Sequence, residues 1–264
     1  MSHQGTDRVP AIILLASLIA VGFFLIPIVA LLTRMDWGSL PSIVTDERMR
    51  EAFVLSLVVP LGAVLIALPL SFPLAWTLAR ARFPGRALVR SVVLLPMVLP
   101  PVVGGVALLA AFGSRGLLGP PLDSLGIRLP FSTAGAILAA TFVSAPFLVV
   151  SLESGFRSLD RRLEEAAETL GGSHWLTFRV VMLPALLPAL RSGIALCWAR
   201  ALGEFGATIA FAGNMPGRTQ TLPLAIYQSL HAPDGLQGAI GMSLLLVSVS
   251  LIVLVLLRGR VLPS

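Results

Sequence analysis

Lysine is absent from this chain of 264 residues, and all 19 basic side chains are arginine. The absence excludes a phosphate-binding loop of the Gly-x4-Gly-Lys-Ser/Thr kind, because the lysine that reaches the phosphates is missing. If the function draws on ATP, another chain must hydrolyse it. Cysteine occurs once, as Cys197 inside an apolar run. An intrachain disulfide and a cysteine-based metal cluster are therefore both excluded, and the thiol is expected to be packed and inert. The histidines His3, His174 and His231 lie far apart, without metal-ligand spacing. Charge is scarce as well, at 12% of residues, against roughly 25% in a soluble domain. With 56% hydrophobic residues and a mean hydropathy of +0.92, the chain falls in the membrane class. One integral membrane domain is expected.

What is present is apolar length. A membrane-crossing helix needs about 20 mostly apolar residues, and the stretches 11–32, 53–78, 91–112, 134–152, 185–212 and 239–257 qualify. The first carries no charge and lacks a clear small-residue cleavage site, so a retained helix is expected rather than a signal peptide. Arginine placement orients the set. With both termini cytoplasmic, the inner segments carry Arg80, Arg82, Arg86 and Arg90, then Arg157, Arg161, Arg162 and Arg179, with Arg8, Arg258 and Arg260 at the ends. The outer segments carry fewer, and this excess is what the positive-inside rule requires. The same dispersion of arginines between apolar runs explains the pI of 11.3 without nucleic acid.

The third stretch contains LLPMVLPPVVGG, with Pro96, Pro100, Pro101, Gly104 and Gly105. Two readings stand: a kinked packing helix, or a broken helix lining a pathway, since freed backbone groups in lipid need protein or water partners. The segment after it, from Ser114, is rich in turn formers and suits contact with an external partner.

Between the fourth and fifth stretches the oil gives way to LDRRLEEAAETLGGSHWLTFRVVMLP, residues 159–184. Leu159, Leu163, Ala166, Ala167 and Leu170 recur as one stripe of a helix. Asp160 is placed to cap it. Gly171 and Gly172 are placed to stop it, because glycine readily takes the left-handed conformation at the C′ position. Ser173 can cap a second short helix, whose stripe is Trp175, Phe178 and Met182, and Pro184 marks the boundary with the next span. The segment reads as helix, glycine turn, helix. It is either a loop that caps the bundle or a rigid knob for a cytoplasmic partner's groove.

The residues from Glu165 to Pro184 resemble the EAA loop of permease subunits of bacterial ABC importers. The family pattern is Glu-Ala-Ala, three residues, Gly, nine residues, then Ile-x-Leu-Pro. The chain matches it at Glu165, Ala166, Ala167, Gly171, Leu183 and Pro184, and departs only with Val181 in place of isoleucine. The resemblance implies that this loop is the coupling helix seated in a cleft of the ATP-binding subunit. Two further stretches, FPGRALVRSVVLLPMVLPPVVGG (83–105) and RALGEFGATIAFAGNMPGRTQTLPLAIY (200–227), are similar to the permeases of molybdate and tungstate importers. Sulfate and thiosulfate permeases have related sequences and are the alternative.

These likenesses imply an all-α membrane protein: six transmembrane helices in a type I ABC importer permease-like bundle, with a cytoplasmic coupling helix. Residues 1–52 would hold the N-terminal tail, first helix and external loop, 53–257 the permease core with the EAA loop at about 157–184, and 258–264 a cytoplasmic tail. They also imply a homodimer in the cytoplasmic (inner) membrane, two ATP-binding subunits on its cytoplasmic side and an external oxyanion-binding protein. No cofactor is expected on this chain, ATP belonging to the partner subunit, and no catalytic or metal site is expected in it.

Arg200 and Glu204 stand four apart inside the fifth stretch. Unpaired charge at mid-bilayer costs several kcal/mol, so the two are expected to pair on one helix face. They are either a self-neutralising structural pair or part of a polar stripe along the pathway, with Arg200 offering positive potential to an oxyanion. On the same helix, Ala199, Gly203, Gly206 and Ala210 form a small-residue packing stripe. A transporter driven by an ion gradient is the rival reading. It would need acidic groups in several spans, and only Glu204 lies deep.

Overall fold

The computed structural model describes residues 10–233 and 235–261, excluding the side chains of 161, 168 and 256–261. Arg8 and residues 262–264 lie outside the described residues, as do the side chains of Arg258 and Arg260. Among the described residues every regular element is helical. In chain order these are α1 (Ala11–Arg34), α2 (Leu40–Thr45), α3 (Glu47–Arg80), α4 (Arg86–Val98), α5 (Pro101–Phe112), α6 (Gly119–Ser124), α7 (Thr133–Ser158), α8 (Arg161–Thr169), α9 (His174–Thr177), a π-helical turn (Phe178–Met182), α10 (Leu183–Leu202), α11 (Gly206–Phe211), α12 (Leu222–Leu230) and α13 (Leu236–Val261). Five helical stretches are long and apolar enough to cross a membrane, or six if α4 and α5 count as one bent span. The last helix continues to Val261, past the boundary expected at residue 257.

The core lies where α3, α7 and α10 meet. Near one end of the bundle Leu78, Leu148, Leu152, Phe156 and Leu186 are fully enclosed. Midway along, the contact is made by small residues, among them Ala63, Ala136, Ala140 and Ala201. Small side chains let helix backbones approach closely, which is how helices associate when lipid removes the hydrophobic drive between them. By contrast, α1 has no buried residue. It is tied at its C-terminal end, where Gln237 donates to the Arg34 carbonyl at 3.3 Å and accepts from the Asp36 N–H at 3.1 Å.

Two spans are interrupted. The first break answers the question posed by the proline-rich stretch: α4 and α5 are separate helices bent by 118°. Its cause is local. A residue before proline is driven out of the helical region, and both Leu99, before Pro100, and Pro100, before Pro101, are extended, with ψ of 136° and 130°. Pro101 then opens α5, where its missing N–H costs nothing. The second break corrects the expectation of a single helix over 185–212. Here α10 stops at Leu202, Gly203–Phe205 depart from the helix, and α11 begins at Gly206.

The two breaks meet. A Cβ on Gly206 would lie 2.5 Å from Cβ of Pro101, and one on Gly105 would lie 2.5 Å from Cβ of Ala210 and 2.8 Å from the Ala207 carbonyl oxygen. The stripe expected as one packing face is thus divided by the break. Gly206 and Ala210 seal α11 to α5 within this chain, while Ala199 and Gly203 stay exposed. Gly105→Val should therefore pry α5 from α11 and cost about 1–3 kcal/mol, the usual penalty for overpacking. Reversible unfolding in detergent measures this, and an unchanged unfolding free energy would contradict the contact.

Candidate functional site: an exposed elbow and a paired charge at a helix break

The segment between α7 and α10 folds as two short helices at a glycine turn. The Asp160 carboxylate accepts the Arg162 N–H at 3.0 Å and so caps α8. Gly171 has φ +82°, the left-handed conformation that ends a helix. The Gly172 N–H then reaches back to the Ala167 carbonyl at 2.9 Å, the longer of the two bonds that define a Schellman turn. Ser173 Oγ accepts the Leu176 N–H at 3.3 Å and starts α9. At the junction with α10 the hydrogen-bond register slips by one residue, the Leu183 N–H bonding the Phe178 carbonyl. Pro184, which has no N–H, follows directly.

The elbow turns much of its apolar surface outward. Leu170 is 89% exposed and Trp175 68%, and Leu163, Leu176 and Val180 are exposed as well. A recess of about 250 Å³ lies in the crook, lined by Ala167, Leu170, Gly171, Leu176, Val180 and Val181. Glu165 and Ala166 are exposed on α8, and Ala167 is half-buried. The expected second stripe divides: Met182 is buried, whereas Trp175 stacks on Phe178 at 5.7 Å from outside. An apolar stripe left uncovered beside polar residues marks an interaction surface.

The elbow is fastened to the bundle at two points. Arg80, the last residue of α3, pairs with Glu164 at 2.6 Å, the side chains being 11% and 29% exposed. The Phe178 ring meets Phe72 of α3 edge-on at 5.8 Å, and Phe72 meets Phe156 at 5.3 Å. Close by, the buried Glu153 of α7 accepts from Arg157 at 2.5 Å and faces Arg90 of α4 at 3.3 Å. Sequence reasoning missed these acids. The four-residue spacing of Glu153 and Arg157 was a signal for one of them, whereas Glu164 had none, its partner being distant in sequence.

Arg200 and Glu204 do meet, Nη1 to Oε2 at 2.7 Å, although Glu204 stands beyond the helix end. Its other oxygen accepts the Ala207 N–H at 2.8 Å. The carboxylate is 2% exposed and the guanidinium 28%. It therefore serves both as counterion to Arg200 and as the polar partner for the first turn of α11. The pair and the elbow are separate places, since α10 starts at the elbow and ends at the pair. At the opposite end of the bundle from the elbow, Gln220 donates to Asn214 at 2.9 Å and to Gln228 at 2.5 Å, and Ser56 Oγ accepts the Leu222 N–H at 2.6 Å. Among the described residues no cluster of metal-ligating side chains occurs.

Residues 67–260 match the family described as binding-protein-dependent transport system inner membrane component, and the chain belongs to that family. It is a multi-pass membrane permease of this class. It is 43% identical over 261 residues to the molybdenum transport system permease protein ModB of Mycobacterium tuberculosis, covering 98% of this chain and 97% of that one. The Escherichia coli K12 protein of the same name is 44% identical over 215 residues, 81% and 93% of the two chains. A probable sulfate transport system permease protein of Chlorokybus atmophyticus is 35% identical over 233 residues, 87% and 81%. Among solved structures, a bacterial ABC transporter that imports the acidic polysaccharide alginate superposes with a TM-score of 0.72 at 18% identity, covering 94% of each chain. The MetNI methionine ABC transporter does so at 0.57 and 18%, covering 79% and 90%. At these identities the structures establish the fold.

Two outcomes follow from the geometry. Gly171→Ala meets no atom within 4 Å, so its cost is backbone strain alone, about 1–2 kcal/mol for a left-handed residue with a Cβ. Faster amide exchange through 166–172 would record it, and an unaltered rate would refute the turn. Glu204→Ala should cost about 3 kcal/mol by stranding Arg200 and the Ala207 N–H. Glu204→Gln, which keeps a carbonyl oxygen for Ala207, should cost less. Equal stability of the two variants would remove the dual role.

Proposed function

We propose that the chain is the permease subunit of an ATP-driven importer that moves molybdate or tungstate into the cytoplasm. The observation that carries the substrate is the level of likeness: 42–44% identity to molybdenum permeases against 33–37% to sulfate permeases. The rigid, outward-facing apolar elbow supports the coupling role. In this reading α8 seats in a groove of a separate ATP-binding subunit, with Glu165, Ala166, Ala167 and Gly171 at the contact. The alanines permit close approach and Gly171 fixes the angle of the elbow. ATP is bound and hydrolysed on that partner, as the absence of lysine from this chain requires of a phosphate-binding loop.

The elbow end is assigned to the cytoplasm, with both termini, in the inner membrane. The arginines of 80–90 and 157–179 gather at that end, as the positive-inside rule demands. Two copies of the chain form a pathway open to one side at a time, and an external oxyanion-binding protein delivers the anion. Closure of two ATPase subunits draws the elbows together and opens the outer side; after hydrolysis the inward-facing state releases the anion. Arg200 lends positive potential to the pathway, and Glu204 keeps it from becoming a trap, since conduction needs release as well as capture.

In proteoliposomes holding the importer, tungstate should compete with labelled molybdate at equal concentration, while sulfate should need about a hundredfold excess, some 2.7 kcal/mol of discrimination. Equal competition by sulfate would transfer the assignment to a sulfate permease. Gly171→Trp should lower uptake about tenfold, with Gly171→Ala as the control for backbone strain, because a Cβ at this position meets no atom of this chain within 4 Å. Wild-type uptake and ATPase coupling in Gly171→Trp would remove the docking surface.

A further inference from the structure

We infer that Arg80 and Glu164 are positioning residues that carry displacement of α8 into α3, and through α3 to the far end of the bundle. The inference rests on the reading of α8 as the helix that docks an ATPase. Among the described side chains of α8, Glu164 is the one that makes an ion pair or hydrogen bond to another helix, the Thr169 hydroxyl bonding the Glu165 carbonyl locally. The apolar side chains Leu163 and Leu170 point outward. Among the described residues, the other ties of α8 are its chain connections and its packing against α9 and the π turn.

The pair is built to bear load. An exposed ion pair is worth little because water screens it and two side chains must be immobilised. Here the guanidinium is almost enclosed, and Arg80 Nε is buried without a hydrogen-bond partner. Loss of Glu164 would take from that cation the one counterion it has among the described side chains, which is far more costly than loss of a surface contact. The second tie, Phe178 on Phe72, engages the other leg of the elbow with the same helix. Hence both legs grip α3, to which neither is joined by the adjacent chain.

Helix α3 is suited to pass the motion on. Two of the spans beside it, α4–α5 and α10–α11, are interrupted, whereas α3, like its main neighbour α7, stays helical throughout, over 34 residues that include Pro60, Pro69 and Pro73. Beyond its midpoint Ser56 holds the Leu222 N–H at 2.6 Å, in a buried bond. Met49 and Ala52 pack with Leu222 and Ala225. The helix therefore links the elbow directly to the segment that carries Gln220, at the opposite end.

The test uses the full chain reconstituted with its ATPase and binding protein. Arg80→Gln and Glu164→Gln should each keep ATP hydrolysis within about twofold of wild type while molybdate imported per ATP falls about tenfold. The exchange Arg80→Glu with Glu164→Arg should return that ratio to within about threefold of wild type. An unchanged ratio in the single variants, a parallel fall of hydrolysis and import, or a double variant no better than the singles would each overturn the inference. A second measurement needs no transport: in lipid nanodiscs, amide exchange through 163–170 should quicken about fivefold in Glu164→Gln. Equal exchange would overturn the tie itself. If the wild-type importer moves no molybdate, the proposed substrate falls, and the exchange result alone then decides the tie.

Discussion

A helix interrupted inside an apolar slab must give its freed backbone groups polar partners, because no water is there to take them. That constraint organises the middle of this molecule. At the α10–α11 break the partner is Glu204, whose two oxygens serve the Ala207 N–H and the Arg200 guanidinium. At the α4–α5 break the proline at the start of α5 removes a donor that would otherwise need satisfying. The breaks then lie against each other across Pro101 and Gly206, where the missing side chain of glycine lets backbone and ring touch. A charged residue that looks like a ligand for cargo is thus, in the first place, part of how a broken span survives in oil.

The elbow obeys the opposite logic. Its helix ends are capped locally, by Asp160, Ser173 and the turn at Gly171, and much of its apolar surface is left facing out. In a chain whose core is made mainly of aliphatic and small residues, Phe72, Phe156 and Phe178 form an aromatic line from the buried core to Trp175 on the elbow. Stiffness at the base and apolar surface at the tip are the two properties a helix needs if another protein is to push on it.

The parts of this arrangement that were legible in the sequence are the local ones. The helix–glycine–helix reading of 159–184 rested on residues within four of one another, and Asp160, Gly171 and Ser173 act as their types suggest. The family resemblance rested on the same stretch, and the chain's membership of the family agrees with it. The double proline at 100–101 pointed to an interruption but did not separate a kink from a break, because the bend is completed by contacts with α11. The break after Leu202 was hidden altogether. Its marker, Gly203, reads equally well as a small residue in a packed helix, and the carboxylate that makes the break tolerable has the four-residue spacing of a helical neighbour of Arg200. The family pattern names Glu165, whereas the structure turns its neighbour Glu164 inward to a residue on another helix.

The first helix carries a separate implication. Since none of its side chains is buried and its ties lie near Arg34, the intramolecular core exerts almost no selection along its length. Its composition answers to lipid and to whatever subunit adjoins it. Drift among leucine, isoleucine, valine and phenylalanine on that rod is energetically neutral for the remaining helices, so differences there between related chains would register changes of membrane or neighbour rather than of fold.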